Sequence, residues 1–376
     1  MPEVKSIPLS VPDLRGKEIE YLTQCVIGNW VSSAGPFVTE FESRMARVIG
    51  CAHAVATSSG TAALKLALIA AGVGPGDLVA VPDWTFAATA NAVVHTGAEP
   101  VFIDINASTW TMDAELLASA RRRLGGRIKA VVPVHTLGHP ADMDALLQAA
   151  DGQPVIEDAA GAIGARYMNR PVGSLGRAAI FSFNGNKTIT AGGGGMVVTN
   201  DGQIANTVRH LSTQARVGHE YRHDQIGFND RMTNLSAAVG LAQLERLEDM
   251  LQTKRRIAAT YDSAVSNRDD VVSMPRANWA ESGCWLYSLL TASARDAQAL
   301  VAALTAQRIE AKVFWQSLAA QEPYATFPRE LAGTSARLSG CVVSLPCSTQ
   351  LTEAEQACVI AALSEWRGAP VLERAV

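Results

Sequence analysis

Seven lysines occur in the chain, and Lys187 stands apart from the other six. It follows Phe181-Ser182-Phe183-Asn184-Gly185-Asn186 and runs through Thr188 into Gly192-Gly193-Gly194-Gly195. An amine on a small-residue loop, directly after an apolar run, has room to condense with a carbonyl. Taken alone, it reads as a solvated loop lysine. The context that changes this is Val155-Ile156-Glu157-Asp158-Ala159-Ala160, which sets a carboxylate at the end of another short apolar run. Asp158 can cap a following helix, or it can hold the proton of a pyridine nitrogen so that the ring draws electrons. A condensing amine and a proton-holding acid are the two groups that pyridoxal 5'-phosphate (PLP) needs most. Lys187 is thus the candidate catalytic amine, and Asp158 its candidate partner.

Three further segments bear on the same chemistry. Ser58-Ser59-Gly60-Thr61-Ala62-Ala63-Leu64 opens a helix with small residues. Its free N–H groups and positive dipole end suit a phosphate, and Ser182 can add a hydroxyl. The plain alternative is an N-cap by Ser59 or Thr61. In Pro82-Asp83-Trp84-Thr85-Phe86, aromatics follow a strand; Phe86 can stack on a flat cofactor or pack in the core. His135 and His139 flank Gly138 after another strand and read either as substrate contacts or as hydrogen-bonded structural residues. Gly192–Gly195 is not a P-loop, because no Gly-Lys-Ser/Thr follows. It reads as backbone passing close to another element. Arg121-Arg122-Arg123 reads as a solvated helix end.

Elements must bring these groups together. Between residues 51 and 210, short β-branched runs (79–81, 100–103, 130–134, 155–156, 178–181, 196–199) alternate with helical stretches (61–71, 89–96, 113–123, 142–150). Such alternation predicts an α/β fold with a parallel sheet covered on both faces. Ligands of such sheets sit at the carboxyl ends of the strands, where Asp158 falls. Residues 13–50 read as a helix-rich entry. Leu235 to Ile257 reads as one long helix leading to an α+β unit over 285–363, with strands at 285–290 and 311–314. The division expected is 1–250 for the large domain and 251–376 for the small one.

The composition is that of a soluble globular protein: 376 residues, 48% hydrophobic and 18% charged. A net charge of −4 gives no reason to expect nucleic acid or a membrane surface as partner. The six cysteines lack CxxC spacing and no His/Cys cluster resembles a metal site, so reduced thiols, no metal and a cytoplasmic setting are expected. Met1-Pro2-Glu3-Val4-Lys5 shows no signal pattern, and the apolar stretch from Ala62 to Ala71 is too short to span a bilayer.

These motifs, in this order, resemble those of the DegT/StrS-type sugar aminotransferases of the fold-type I PLP superfamily. The resemblance runs from about residue 7 to 363. It includes Gly28-Asn29-Trp30-Val31-Ser32, Val73-Gly74-Pro75-Gly76-Asp77, Thr85-Phe86-Ala87-Ala88-Thr89-Ala90-Asn91, Pro140-Ala141-Asp142-Met143-Asp144 and Gly227-Phe228-Asn229-Asp230-Arg231-Met232. It implies a large domain with a mostly parallel seven-stranded sheet flanked by helices, plus a small C-terminal α+β domain. It implies Lys187 as the Schiff-base lysine, Asp158 as the pyridinium partner and Phe86 as the stacking ring. Gly60, Thr61 and Ser182 match the phosphate cup. Asn229 matches an asparagine that reaches the phosphate from a second subunit, which implies a homodimer with shared sites. Two positions depart from the family pattern: Gly161 stands where many members carry Gln or His, and Asp230 where a tyrosine is common. Members that became dehydratases lack the lysine, so Lys187 favours transamination over a sugar dehydratase or lyase. The implied reaction moves an amino group from L-glutamate to a nucleotide-linked keto-deoxy sugar. Residues 183–187 and 192–195 look most like members acting on UDP-4-keto-6-deoxy-N-acetylhexosamines; perosamine-type enzymes using a GDP sugar are the alternative.

Overall fold

In the computed structural model, which describes residues 6–218 and 220–371, the alternation becomes one continuous sheet. The stretch 1–5, read above for a signal pattern, lies outside the described residues. Seven strands build the sheet: β1 (His53–Thr57), β2 (Leu78–Pro82), β3 (Glu99–Ile103), β4 (Ile128–Val131), β5 (Ile156–Asp158), β6 (Ala178–Ser182) and β7 (Gly195–Thr199). Their order is β1-β7-β6-β5-β4-β2-β3, with β4 and β5 joined through parallel bridges at Val131–Val155 and Val134–Asp158. β7 alone runs against the rest, pairing antiparallel with both β1 and β6. β1 carries a weak signal in the sequence, since His53-Ala54-Val55-Ala56-Thr57 has a single β-branched aliphatic residue.

Helices close both faces: α1 (Glu18–Ile27), α2 (Pro36–Ile49), α3 (Gly60–Ala70), α4 (Ala88–Val94), α5 (Ala114–Arg123), α6 (Met143–Ala150), α7 (Gly202–Leu211), α8 (Asn234–Leu244) and α9 (Leu247–Val265). The period-2 alternation of the strands divides the core between the faces. Val79, Val81, Ile180 and Val197 pack with α3, α4 and α7. Ala179, Phe181, Met196 and Val198 pack with α2 and α8, and Leu78, Ala80 and Val101 with α5 and α6. β2 and β7 are buried along their whole length, so their runs are apolar with little alternation, whereas the edges and ends of other strands carry exposed polar residues such as His53, Glu99 and Lys129.

The expected single helix from 235 to 257 is instead α8 and α9, interrupted at Glu245–Arg246. The break lies where polar side chains are recruited to the entry segment. Gln243 Nε2 donates to the Asp13 carbonyl at 2.7 Å, and Arg246 Nη2 reaches Asp13 Oδ2 at 3.1 Å. Arg121 and Arg123 are also more than a solvated helix end: Arg121 donates to the Ala149 carbonyl on α6, and Arg123 pairs with Glu330.

The C-terminal part forms a second sheet from β8 (Val271–Ser273), β9 (Tyr287–Thr291), β10 (Lys312–Phe314) and β12 (Val342–Leu345), ordered β8-β9-β12-β10 and antiparallel throughout. α10 (Ala294–Ala306) and α11 (Glu353–Glu365) pack with it. Neither β8 nor β12 stands out in the sequence, although β12 is central. Between β10 and β12 in the chain, β11 (Arg329–Glu330) pairs in parallel with β3 and so adds a short eighth strand to that edge of the large sheet. Among the described residues no helix is long and apolar enough to cross a membrane.

Asp104, just past β3, fastens this crossing. Its Oδ2 accepts the N–H groups of Ala332 and Gly333, both at 2.7 Å, and its Oδ1 that of Ser335 at 2.7 Å. Burial works against the charge, but these donors outweigh it and hold the carboxyl below its ordinary 3.8. Asp104→Ala should lower unfolding free energy by about 3 kcal/mol in denaturant titrations, since it strands several buried donors. A depressed carboxyl stabilises above its unfolded value, so the difference between variant and parent should shrink as pH falls below about 3.8.

Candidate active site

The carboxyl ends of β2, β5 and β6, the extension of β4 and the start of α3 surround one cavity of about 310 Å³. Gly60, Thr61, Phe86, Asp158, Ser182 and Lys187 all line it. β7 runs antiparallel, so its leading residues Gly193 and Gly194 reach the same rim.

Each group is held by its element. Ser59 caps α3, its hydroxyl accepting the N–H of Ala62 at 3.1 Å. The cap reading of Ser59 therefore holds, and it leaves the N–H groups of Gly60 and Thr61 without helical acceptors at the cavity. Gly60 is required there, since a Cβ would stand 2.9 Å from the Ser182 Cβ. Gly195 likewise lies under the chain at Ser59, where a Cβ would meet its carbonyl oxygen at 2.4 Å. That is the close backbone passage expected of the glycine run.

Asp158 caps no helix, because none begins after it. It is buried, with Oδ2 accepting from Thr89 Oγ1 at 2.8 Å and Oδ1 from the Ala160 N–H at 3.1 Å. Thr89 is the second residue of α4, so the helix that begins beside Phe86 also orients the carboxylate. The ring of Phe86 is 62% exposed and is no core residue. Lys187 sits in a loop pinned by the Ala191 N–H on the Phe183 carbonyl. Its side chain borders the cavity and is half-buried. Protein nevertheless encloses the amine, and burial brings its pKa down from 10.5 to about 8, with the charge of Asp158 pulling the other way.

The two histidines are structural. His135 Nδ1 accepts the N–H of Ala141, so its ring proton lies on Nε2, which donates to Glu157 at 3.0 Å. His139 donates from Nδ1 to the Pro140 carbonyl and accepts the Ala277 N–H at Nε2; burial lowers it to about 4. Asn229 is exposed and lies outside the cavity of its own chain. Asp230 beside it is tied to α3, with Lys65 Nζ at 2.7 Å from Oδ2 and at 3.6 Å from the centre of the Phe228 ring. A carboxylate thus replaces the tyrosine expected here by supplying an ionic anchor for the segment.

Three lining residues gave no local signal: Thr89, Trp285 and Leu137. Trp285 closes the cavity from the C-terminal part, together with Phe314 and Trp315. These residues fit PLP. A buried carboxylate points into the cavity, a lowered amine borders it, and a glycine-only helix start offers unsatisfied N–H groups.

The chain belongs to the DegT/DnrJ/EryC1/StrS aminotransferase family, whose model matches residues 12–364. A GDP-perosamine synthase of Caulobacter vibrioides is 38% identical over 373 residues, spanning 97% of this chain and 99% of that protein. One of Escherichia coli O157:H7 is 39% identical over 82% of this chain and 84% of its own. Among solved structures, S. venezuelae DesV in complex with a ketimine intermediate aligns with a TM-score of 0.88 at 33% identity, covering 95% and 98% of the two chains. The protein is a PLP-dependent sugar aminotransferase of α/β fold.

Glu157 supports the site from behind. Its carboxylate accepts from His135 and from the N–H groups of Gly173, Leu175 and Gly176, at 2.7–3.0 Å. Burial opposes its charge, but these donors hold it below the ordinary 4.5. Glu157→Gln should lose about 3 kcal/mol of stability at neutral pH by turning an amide against buried donors. Because the folded carboxyl is depressed, the loss should be full above about 4.5 and fade as pH falls below it. Thermal unfolding of parent and variant across pH checks this.

Proposed function

We propose that this aminotransferase moves the amino group of L-glutamate to GDP-4-keto-6-deoxymannose, at the 4-keto carbon. The observation that carries this reading is that relatives at 38–40% identity from three organisms share the name GDP-perosamine synthase. The UDP-linked N-acetylhexosamine expected from residues 183–187 and 192–195 gives way to this alternative. Phe183 is buried against Phe41, with ring centroids 5.0 Å apart, and Gly195 serves the packing of α3. Those segments report on the fold of the loop more than on the sugar.

PLP, when bound, supplies an electron-withdrawing ring that lets an amino group be exchanged for a carbonyl. Lys187 would tether it, and Asp158, oriented by Thr89 and Ala160, would keep its ring nitrogen protonated. Phe86 would cover the ring. Gly60, Thr61 and Ser182 would bind the phosphate at the positive end of α3. With a pKa of about 8, roughly a tenth of the Lys187 amines are neutral at pH 7. Nζ can then take up the Cα proton of the amino donor in one half-reaction and deliver a proton to the sugar carbon in the other. Trp285 shields that amine from water, and Leu137, Phe314 and Trp315 add apolar lining to the same cavity.

We further propose a homodimer in which Asn229 serves the partner's cavity, since it is exposed and turned away from its own. The division at 250 is part of the same reading, with residues 251–376 forming the cap of the site.

Mass spectrometry on a panel of GDP- and UDP-linked 4-keto sugars should show an amino product with the GDP substrate. Amination of UDP sugars alone would overturn the substrate, and ammonia release without an amino sugar would overturn the transfer. Lys187→Ala should abolish turnover, and borohydride reduction should place the cofactor label on Lys187 in the parent. Co-expressing Lys187→Ala with Asn229→Ala should restore one intact site per mixed dimer and recover activity that the separate variants lack. No recovery would sink the shared site.

A further inference from the structure

The indole of Trp285 fills the space beside the glycine that departs from the family pattern. A Cβ on Gly161 would stand 2.5 Å from Trp285 Cε3 and 3.0 Å from Cδ2. The other face of the problem is the amine: Lys187 Nζ lies 3.6 Å from the centre of a Trp285 ring. We propose that Trp285 is the positioning residue of the Lys187 amine, and that Gly161 is required because the indole occupies the room of a side chain at that position. This rests on Lys187 carrying the cofactor.

The indole is fixed from several sides, as a positioning group must be. Its Nε1 donates to the carbonyl of Asn186, the residue before Lys187, at 2.8 Å. Its own carbonyl accepts from Nζ of buried Lys254 at 3.0 Å, and the same ammonium donates to the Cys347 carbonyl at 2.8 Å. The preceding Cys284 adopts φ 48°, a left-handed conformation unusual for a residue with a side chain. The backbone there crosses Gly138 so closely that a Cβ on Gly138 would meet the Trp285 nitrogen at 2.9 Å. Trp285 itself is only 7% exposed. No hydrogen-bond acceptor for Lys187 Nζ occurs among the described residues, so the aromatic face and the charge of Asp158 are the attractive influences on the ammonium. An indole face attracts a cation and holds it without fixing a proton, leaving the amine free to turn toward the cavity.

The test separates an aromatic seat from a mere filler. Trp285→Phe and Trp285→Leu both lose the indole N–H and open similar space, but only Phe keeps a π face. The Lys187 pKa is read on cofactor-free protein by NMR of ¹³C-methylated lysines, with Lys187→Ala assigning the signal. The pKa should lie about half a unit lower in the Leu variant than in the Phe variant, a roughly threefold loss of proton affinity. Equal values in the two variants would reduce Trp285 to packing and overturn the proposal. Gly161→Ala should weaken PLP binding roughly tenfold in reconstitution of the cofactor-free protein, because the Cβ drives the indole off its seat. Adding Trp285→Phe should return most of that loss, whereas simple additivity of the two changes would refute the pairing. Because the pKa measurement contains no cofactor, it stands or falls separately from the site of cofactor attachment, which borohydride labelling reads.

Discussion

Two adjacent carboxylates at the end of β5 point to opposite sides of the sheet, and the site depends on that opposition. Strand alternation sends Glu157 one way and Asp158 the other. Glu157 is consumed by structure: His135 and three backbone N–H groups saturate it. Asp158 turns to the cavity, where the Thr89 hydroxyl and the Ala160 N–H are its donors among the described residues. Had both faced the cavity, two like charges would have shared one site and one would have been driven to the neutral form. A fully engaged neighbour leaves a single carboxyl group facing the cavity.

The rest of the architecture converges on this edge. Parallel strands deliver their carboxyl ends together, and the single reversed strand, β7, brings a glycine run to the same rim. The last of them, Gly195, admits the start of α3 against the sheet, which in turn points helix N–H groups into the cavity. The Lys65–Asp230 pair then ties the segment carrying Asn229 to the flank of α3. Asn229 is therefore held out of its own cavity by an anchor one residue away.

Much of this was legible because the chemistry lies at element ends. Asp158, Gly60 and Ser182 each sit where a strand or helix begins or stops, and Lys187 lies in the small-residue loop just beyond β6; small or charged residues at such points are conspicuous in one dimension. Residues that act across long separations were not. Asp104 holds segments more than 220 residues away in the chain, and Trp285 meets Gly161 and Lys187 from another sheet. Neither contact leaves a periodicity or spacing. β12 escaped for a related reason: Val342-Val343-Ser344-Leu345 is short, and its central place follows from pairing with β9 and β10. The break between α8 and α9 was hidden because leucines keep helical spacing across it. The polar anchoring of Gln243 and Arg246 to Asp13 is a tertiary event. The histidines remained ambiguous until both ring nitrogens of each had partners, which only coordinates supply.

The amine of Lys187 is the point at which these features must balance. Burial alone favours the neutral form, and Asp158 favours the charged one; burial is the stronger, and the amine settles near 8. A free lysine would be almost wholly protonated at neutral pH and unable to accept a proton. A fully desolvated one with no attractive neighbour would lose the proton too readily to deliver it later. An aromatic wall excludes water while offering the cation a weak, non-directional attraction, so it tempers desolvation without adding a hydrogen bond that must break at each transfer. On the proposed reading, that requirement accounts for Trp285 beside the amine and for the glycine at 161 that leaves the indole its room.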